Sequence, residues 1–183
     1  MEKPSKQCGV TLIELIVSLS ILAILLLVAL PNFTVFNRTA ELSATANTLL
    51  AAINTARSEA INRGRSAMVM PSDGSNWQKG WVVFVDNNSN GVYDNLADTT
   101  LSVQSSLPPY FSITTNGSAS KTAPYIRFNP MGYINAGLSF QIQNKDVTGS
   151  EPWRQVRKIV ISLVGRVRLC TPSSASDSDC TPL

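Results

Sequence analysis

The chain contains no histidine, which removes both the commonest general base and the commonest metal ligand. Its 12 carboxylates are scattered along 183 residues. No serine or threonine stands beside an evident base, so nothing in the sequence supports catalysis, and no cofactor is implied. Charge is sparse as well: 15% of residues are charged and the formal net charge is +3. A field that weak does not attract nucleic acid by itself, so any such role must come from a local patch. Cysteine occurs three times. There is no internal repeat and no disordered linker.

What the chain does have is an apolar run. It opens at Gly9-Val10-Thr11-Leu12-Ile13-Glu14 and extends to Leu30, and from Leu15 onward its only polar residues are Ser18 and Ser20. Counted from Val10, the run is long enough to cross a bilayer core as a helix. Glu14 is the anomaly, because a carboxylate within such a run costs about 3 kcal/mol on insertion scales and is usually functional. Thr11-x-x-Glu14 also fits a capping box that opens a helix. A cleaved secretory signal would need small residues after the apolar core, and Val28-Ala29-Leu30-Pro31 is a poor site.

Residues 1–9 form a short basic leader whose lysines should stay on the cytoplasmic side. Pro31 predicts a kink or an end to the helix. Beyond it, Leu42, Ala46, Leu49, Ile53, Ala56 and Ala60 recur at helical spacing. Arg38, Glu41, Ser43, Thr48 and Asn54 occupy the other face, and Gly64 is a good C-cap. A continuous helix from Val10 to about Arg63 would be roughly 80 Å long. Strand-like pieces follow at Ser66–Met70, Trp81–Val85, Leu101–Val103, Phe111–Thr114, Tyr125–Phe128, Leu138–Gln143 and Lys158–Leu163. A long helix followed by short strands reads as α+β with mostly antiparallel sheets. Roughly 120 residues beyond the helix suffice for one modest core. The expected organisation is therefore a leader over 1–9, a helix over 10–64 with a transmembrane half at 10–30, and a β-rich domain over 65–183.

Lys3…Lys6-Gln7-Cys8-Gly9 followed by Val10-Thr11-Leu12-Ile13-Glu14-Leu15 resembles the class III signal of type IV pilins and type II secretion pseudopilins. That resemblance implies a type IV pilin-like fold, cleavage after Gly9 by a prepilin peptidase and N-methylation of Val10. It implies that Glu14 neutralises a neighbouring subunit's terminal amine during assembly with other major and minor pilins. Two opposite charges in lipid are less costly paired than apart. Val10 is a mild departure, since family members often begin the mature chain with Phe or Met. Loss of Glu2, Lys3 and Lys6 with the leader lowers the net charge by one. Cys8 leaves too, and Cys170 and Cys180 remain as an even pair in an oxidising compartment, so a disulfide between them is expected. It would hold the polar tail, 171–183, to the domain and contribute about 2–3 kcal/mol.

Trp77-x-x-Gly80-Trp81, a strand, and then Asp86-Asn87-Asn88-Ser89-Asn90-Gly91 narrow the resemblance to the GspH/FimT group of minor pilins and pseudopilins. Asp86, Asn88 and Asn90 with Gly91 match the first half of a calcium loop, and Asp94 and Asp98 could add oxygens. However, Ala97 stands where an EF-hand places glutamate, and a tight turn explains the same residues. No metal is assigned. Gly165-Arg166-Val167-Arg168 follows an apolar strand. If Arg166 and Arg168 share a strand they point to one face about 7 Å apart, and paired guanidiniums suit phosphate oxygens. Arg154, Arg157 and Lys158 would widen that patch. A charged, solvated edge strand is the alternative.

Gly165-Arg166-Val167-Arg168 is similar to the G-R-x-R signature of FimT-type minor pilins. This implies binding of extracellular double-stranded DNA for uptake in natural transformation, without strong sequence preference. The same resemblance leaves two other roles open: a tip-complex subunit that primes pilus assembly, and a GspH-type pseudopilin of protein export. Residence would be in the inner membrane, with the bulk outside, and then in the pilus at or near its tip. Replacing Gly9 by valine should block processing. Mass spectrometry should then find the full precursor in place of a chain beginning with N-methylated Val10.

Overall fold

The computed structural model describes residues 9–116, 124–146, 152–174, 177 and 180; within the helix, the side chains at 28–32 and 34 are not described. The leader expected over 1–9 therefore lies outside the described residues except for Gly9, as does much of the tail. Helix α1 is continuous from Leu12 to Arg63. The chain divides into two compact units, Met1–Thr39 and Ala40–Leu183.

The first unit is the N-terminal part of α1. Thr11 Oγ1 accepts from the Glu14 N–H at 3.3 Å, half of a capping box. Ser18 and Ser20 donate their hydroxyls to the carbonyls of Glu14 and Ile16, at 2.7 and 2.8 Å. The apolar side chains from Leu12 to Leu27 are exposed, and so is Glu14. Among the described residues no helix is both long and apolar enough to cross a membrane. The last part of the expected span over 10–30 falls on side chains that are not described.

In the second unit, all six residues of the expected stripe, Leu42, Ala46, Leu49, Ile53, Ala56 and Ala60, are fully buried. The helix ends at Gly64, whose φ of +61° is the left-handed turn that glycine adopts without penalty. Gly64 N–H donates to Ile61 O and Arg65 N–H to Ala60 O, the pair of bonds of a Schellman cap.

Eight strands follow: β1 Ala67–Pro71, β2 Trp81–Val85, β3 Thr99–Gln104, β4 Phe111–Asn116, β5 Ile126–Phe128, β6 Leu138–Asn144, β7 Val156–Ile161 and β8 Val167–Cys170. They pair antiparallel in two four-stranded sheets, ordered β3-β2-β1-β5 and β4-β6-β7-β8. One core joins the helix stripe to both sheets through Val83, Phe111, Phe128, Phe140 and Ile159. In β6 burial alternates strictly, the mark of a strand with one covered face. All of β2 is buried, however. Its second face carries Val82 and Phe84, packed with Met68, Tyr93 and Tyr125. Segment 86–98 supplies Tyr93, whose ring lies 5.1 Å from that of Phe84.

Gly80 earns its place in the aromatic-glycine motif. Its φ is +91°, and a Cβ there would lie 2.0 Å from the carbonyl oxygen of Gln104. The segment after β2 is organised by Asp86, which has no exposed surface. Its carboxylate accepts from the N–H groups of Asn90 and Gly91 at 3.1 and 3.0 Å, and Arg127 Nη2 is 3.6 Å away. Removing the carboxylate takes away a charged acceptor of two backbone N–H bonds. Asp86→Ala is therefore expected to cost about 1.5–3 kcal/mol, read as a lower urea midpoint for the mature chain.

Candidate nucleic-acid interface

The register of the second sheet decides which basic residues meet. In β7, Ile159 and Ile161 face the core; in β8, Val167 and Leu169 pack on it. The opposite face therefore carries Val156, Lys158 and Val160 from β7, and Arg168 and Cys170 from β8. Arg168 pairs with Val160, and Cys170 with Lys158, so Lys158 and Arg168 are diagonal neighbours. Arg166 comes just before β8 in the same alternation. It lines a depression of about 260 Å³ together with Arg168, Val160, Ser162 and Val164. Arg166 is exposed and Arg168 partly so. The rest of this face is neutral and polar: Ser112, Thr114 and Asn116 from β4, and Ser139, Gln141 and Gln143 from β6. The four strands contain no Asp or Glu.

Two of the expected patch residues lie elsewhere. Arg157 has the parity of the core-facing residues. It donates to the carbonyls of Arg154 and Val156, both at 2.9 Å, and to Ser43 Oγ on the helix at 3.1 Å. Desolvation by burial pulls its guanidinium below the usual arginine range. Arg154 lies on the 3-10 turn Pro152–Gln155, at the opposite end of β7 from Arg166, a strand's length of roughly 20 Å away. The basic row is thus Arg166, Arg168 and Lys158.

A residue that the sequence reading missed positions this row. Arg57 of α1 donates through Nε to Gly132 O at 3.1 Å and through Nη2 to Val164 O at 3.2 Å. The β7–β8 hairpin closes through Gly165 N–H to Ser162 O at 2.8 Å and Ser162 N–H to Arg166 O at 3.0 Å. Gly165 has a φ of +73°, and a Cβ there would lie 2.0 Å from Gly132 O and 2.8 Å from Arg57 Nε. The glycine of the G-R-x-R stretch is therefore the contact through which the helix holds the arginine hairpin. Arg57 could not be found from local signals, since its partners are 75 and 107 residues away.

Cys170 and Cys180 form the expected disulfide, with Cα atoms 6.0 Å apart. Cys180 is buried and lines a groove on the polar face with Thr114, Gln141 and Lys158. The disulfide thus fastens the tail beside the basic row. Within the tail, Asp177 accepts from the N–H and Oγ of Ser173, at 2.7 and 2.8 Å.

In the segment resembling a calcium loop, the side-chain oxygens serve the loop's own backbone. Asn88 accepts from Asn90 N–H, Asn90 from Val92 N–H, and Asp94 from Leu96 N–H. Asp98 receives Asp94 N–H and Asn87 N–H. This is a succession of side-chain turns, and among the described residues no group of acidic, Cys or His side chains is placed to hold an ion.

Comparison with known proteins agrees with this architecture. Residues 45–175 match the family model of type II transport protein GspH, and residues 4–30 match the prokaryotic N-terminal methylation motif. Among solved structures, the type IV minor pilin FimU of Pseudomonas aeruginosa is 22% identical with a TM-score of 0.55, covering 76% of this chain and 98% of its own. A second crystal form of FimU gives 21%, 0.54, 72% and 98%. The minor pseudopilin EpsH of the Vibrio cholerae type 2 secretion system gives 13%, 0.50, 72% and 98%. At these identities the likeness is one of fold. No curated protein matches.

Replacing Arg57 by leucine removes two charge-assisted bonds to carbonyls and should cost about 1–3 kcal/mol. Arg166→Gln should change stability by no more than about 0.5 kcal/mol. Urea midpoints of the two variants, measured side by side, check the assignment of one as positioning and the other as surface.

Proposed function

This chain belongs to the family of type II transport protein GspH and carries the N-terminal methylation motif; from that premise we propose that it is a minor type IV pilin that binds extracellular DNA for uptake. The observation that carries the reading is the outer face of the second sheet, where Arg166, Arg168 and Lys158 form one row among neutral polar side chains. Each guanidinium can fork onto phosphate oxygens. Arg57 and Gly165 fix the hairpin, so little ordering of the backbone is needed on binding.

In this reading the apolar helix anchors the chain in the inner membrane after a prepilin peptidase cuts behind Gly9. Glu14 then pairs with a neighbouring pilin's terminus during incorporation. The basic face lies outside, at or near the pilus tip, where it takes DNA by its backbone. The row presents no element for reading base edges within a duplex groove, so the affinity follows phosphate density and not sequence. The GspH family match and the likeness to EpsH support a second reading, a pseudopilin of protein export. Its loss would stop secretion and leave DNA uptake unchanged.

The test titrates the mature chain in non-ionic detergent against two duplexes of unrelated sequence at several salt concentrations. Three phosphate contacts give an expected slope of log affinity on log salt of about −3. The two duplexes should bind equally. Arg166→Gln/Arg168→Gln should remove about two units of the slope and most of the affinity. Absence of binding at low salt by the folded chain would overturn the reading in favour of export or tip assembly.

A further inference from the structure

We propose that the cavity at the start of β7 takes one unpaired nucleobase, stacked on Trp153, so that the basic row holds single-stranded DNA more tightly than duplex. The inference rests on the DNA reading above and names the form of DNA that the face prefers. The cavity has a volume of about 310 Å³, at the small end of ligand sites. Its walls include Trp153, Gln141, Gln143, Asn144, Lys145 and Lys158. Lys158 belongs also to the basic row, diagonal to Arg168. Lys158 is thus common to the row and to the cavity.

The chemistry of the walls is that of a nucleotide. An indole offers a flat face to any base, and such stacking is tolerant of sequence. Two lysines supply charge for an anion; the main-chain N–H of Lys145 donates to Tyr110 O at 2.8 Å. Gln141 Nε2 donates to Gln143 Oε1 at 3.0 Å. That bond leaves Gln141 with a carbonyl acceptor and Gln143 with an amide donor, side by side. Base edges present the same alternation of donor and acceptor.

A base within a duplex cannot reach Trp153 while it remains stacked, and extracting it costs unpairing and unstacking. A single strand has no such cost. The site therefore adds to single-strand binding and leaves duplex binding to the phosphate contacts alone.

The experiment reads tryptophan fluorescence of the mature chain in detergent. Trp77 and Trp81 are 4% and 1% exposed, so a ligand-induced change reports on Trp153. Oligothymidine, which does not pair with itself, is titrated in parallel with a blunt duplex of equal length. The expected result is quenching by oligothymidine and an affinity about ten-fold above that for duplex. Trp153→Ala should erase that advantage with duplex affinity unchanged, which also certifies its fold, and Trp153→Phe should keep most of it. Equal affinities for the two ligands in the unaltered chain, or a single-strand advantage that survives Trp153→Ala, would overturn the inference and leave the phosphate reading standing. Failure of both ligands to bind would overturn the DNA reading and this inference with it.

Discussion

One stripe of the helix is the constraint on which the second unit depends. Leu42, Ala46, Leu49, Ile53, Ala56 and Ala60 must be covered, and neither sheet alone provides the core around them; residues of both enter it. Three of the six are alanines, and small side chains let strands approach the helix backbone closely. The larger residues then come from the sheets: Trp81, Phe111, Phe128 and Phe140. Each fully buried aliphatic or aromatic side chain is worth about 1.5–3 kcal/mol. Arg57 follows Ala56 directly, just outside the stripe, and extends the helix's hold from apolar packing to the carbonyls of Gly132 and Val164.

Much of this was legible before any coordinates. The stripe was readable because helical periodicity and burial are the same pattern seen twice. Gly64 was readable because a left-handed cap has few occupants. The strands were readable as alternating or apolar runs between turn residues, and all seven expected ones occur with ends displaced by a residue or two. The disulfide followed from the compartment that the leader implies. Legibility failed where the basic row depends on register and on distant contacts. Arg157 and Lys158 are adjacent in sequence and so looked like one patch, yet a strand sends neighbours to opposite faces. Arg157 then faces Ser43 while Lys158 joins Arg168. Arg57 carried no signal of its own, since an arginine on a helix is ordinarily solvated.

The aspartates and asparagines after β2 show the same limit from another side. Their spacing satisfies both a cation loop and a run of side-chain turns. In the structure the oxygens accept from the N–H groups of Asn90, Gly91, Val92 and Leu96, the bonds of a run of side-chain turns. Asp86 in particular is committed to holding the segment that covers the second face of β2. That cover explains why β2 reads as an unbroken apolar run, a pattern that alone could suit either a strand or a short buried helix.

The two serine hydroxyls of the apolar helix have a bearing on how such a segment changes its surroundings. Ser18 and Ser20 are already bonded to carbonyls of the preceding turn, so neither asks anything of lipid or of a protein neighbour. A helix sealed in this way keeps both hydroxyl bonds whatever surrounds it, so a change of surroundings exchanges no donor at either position.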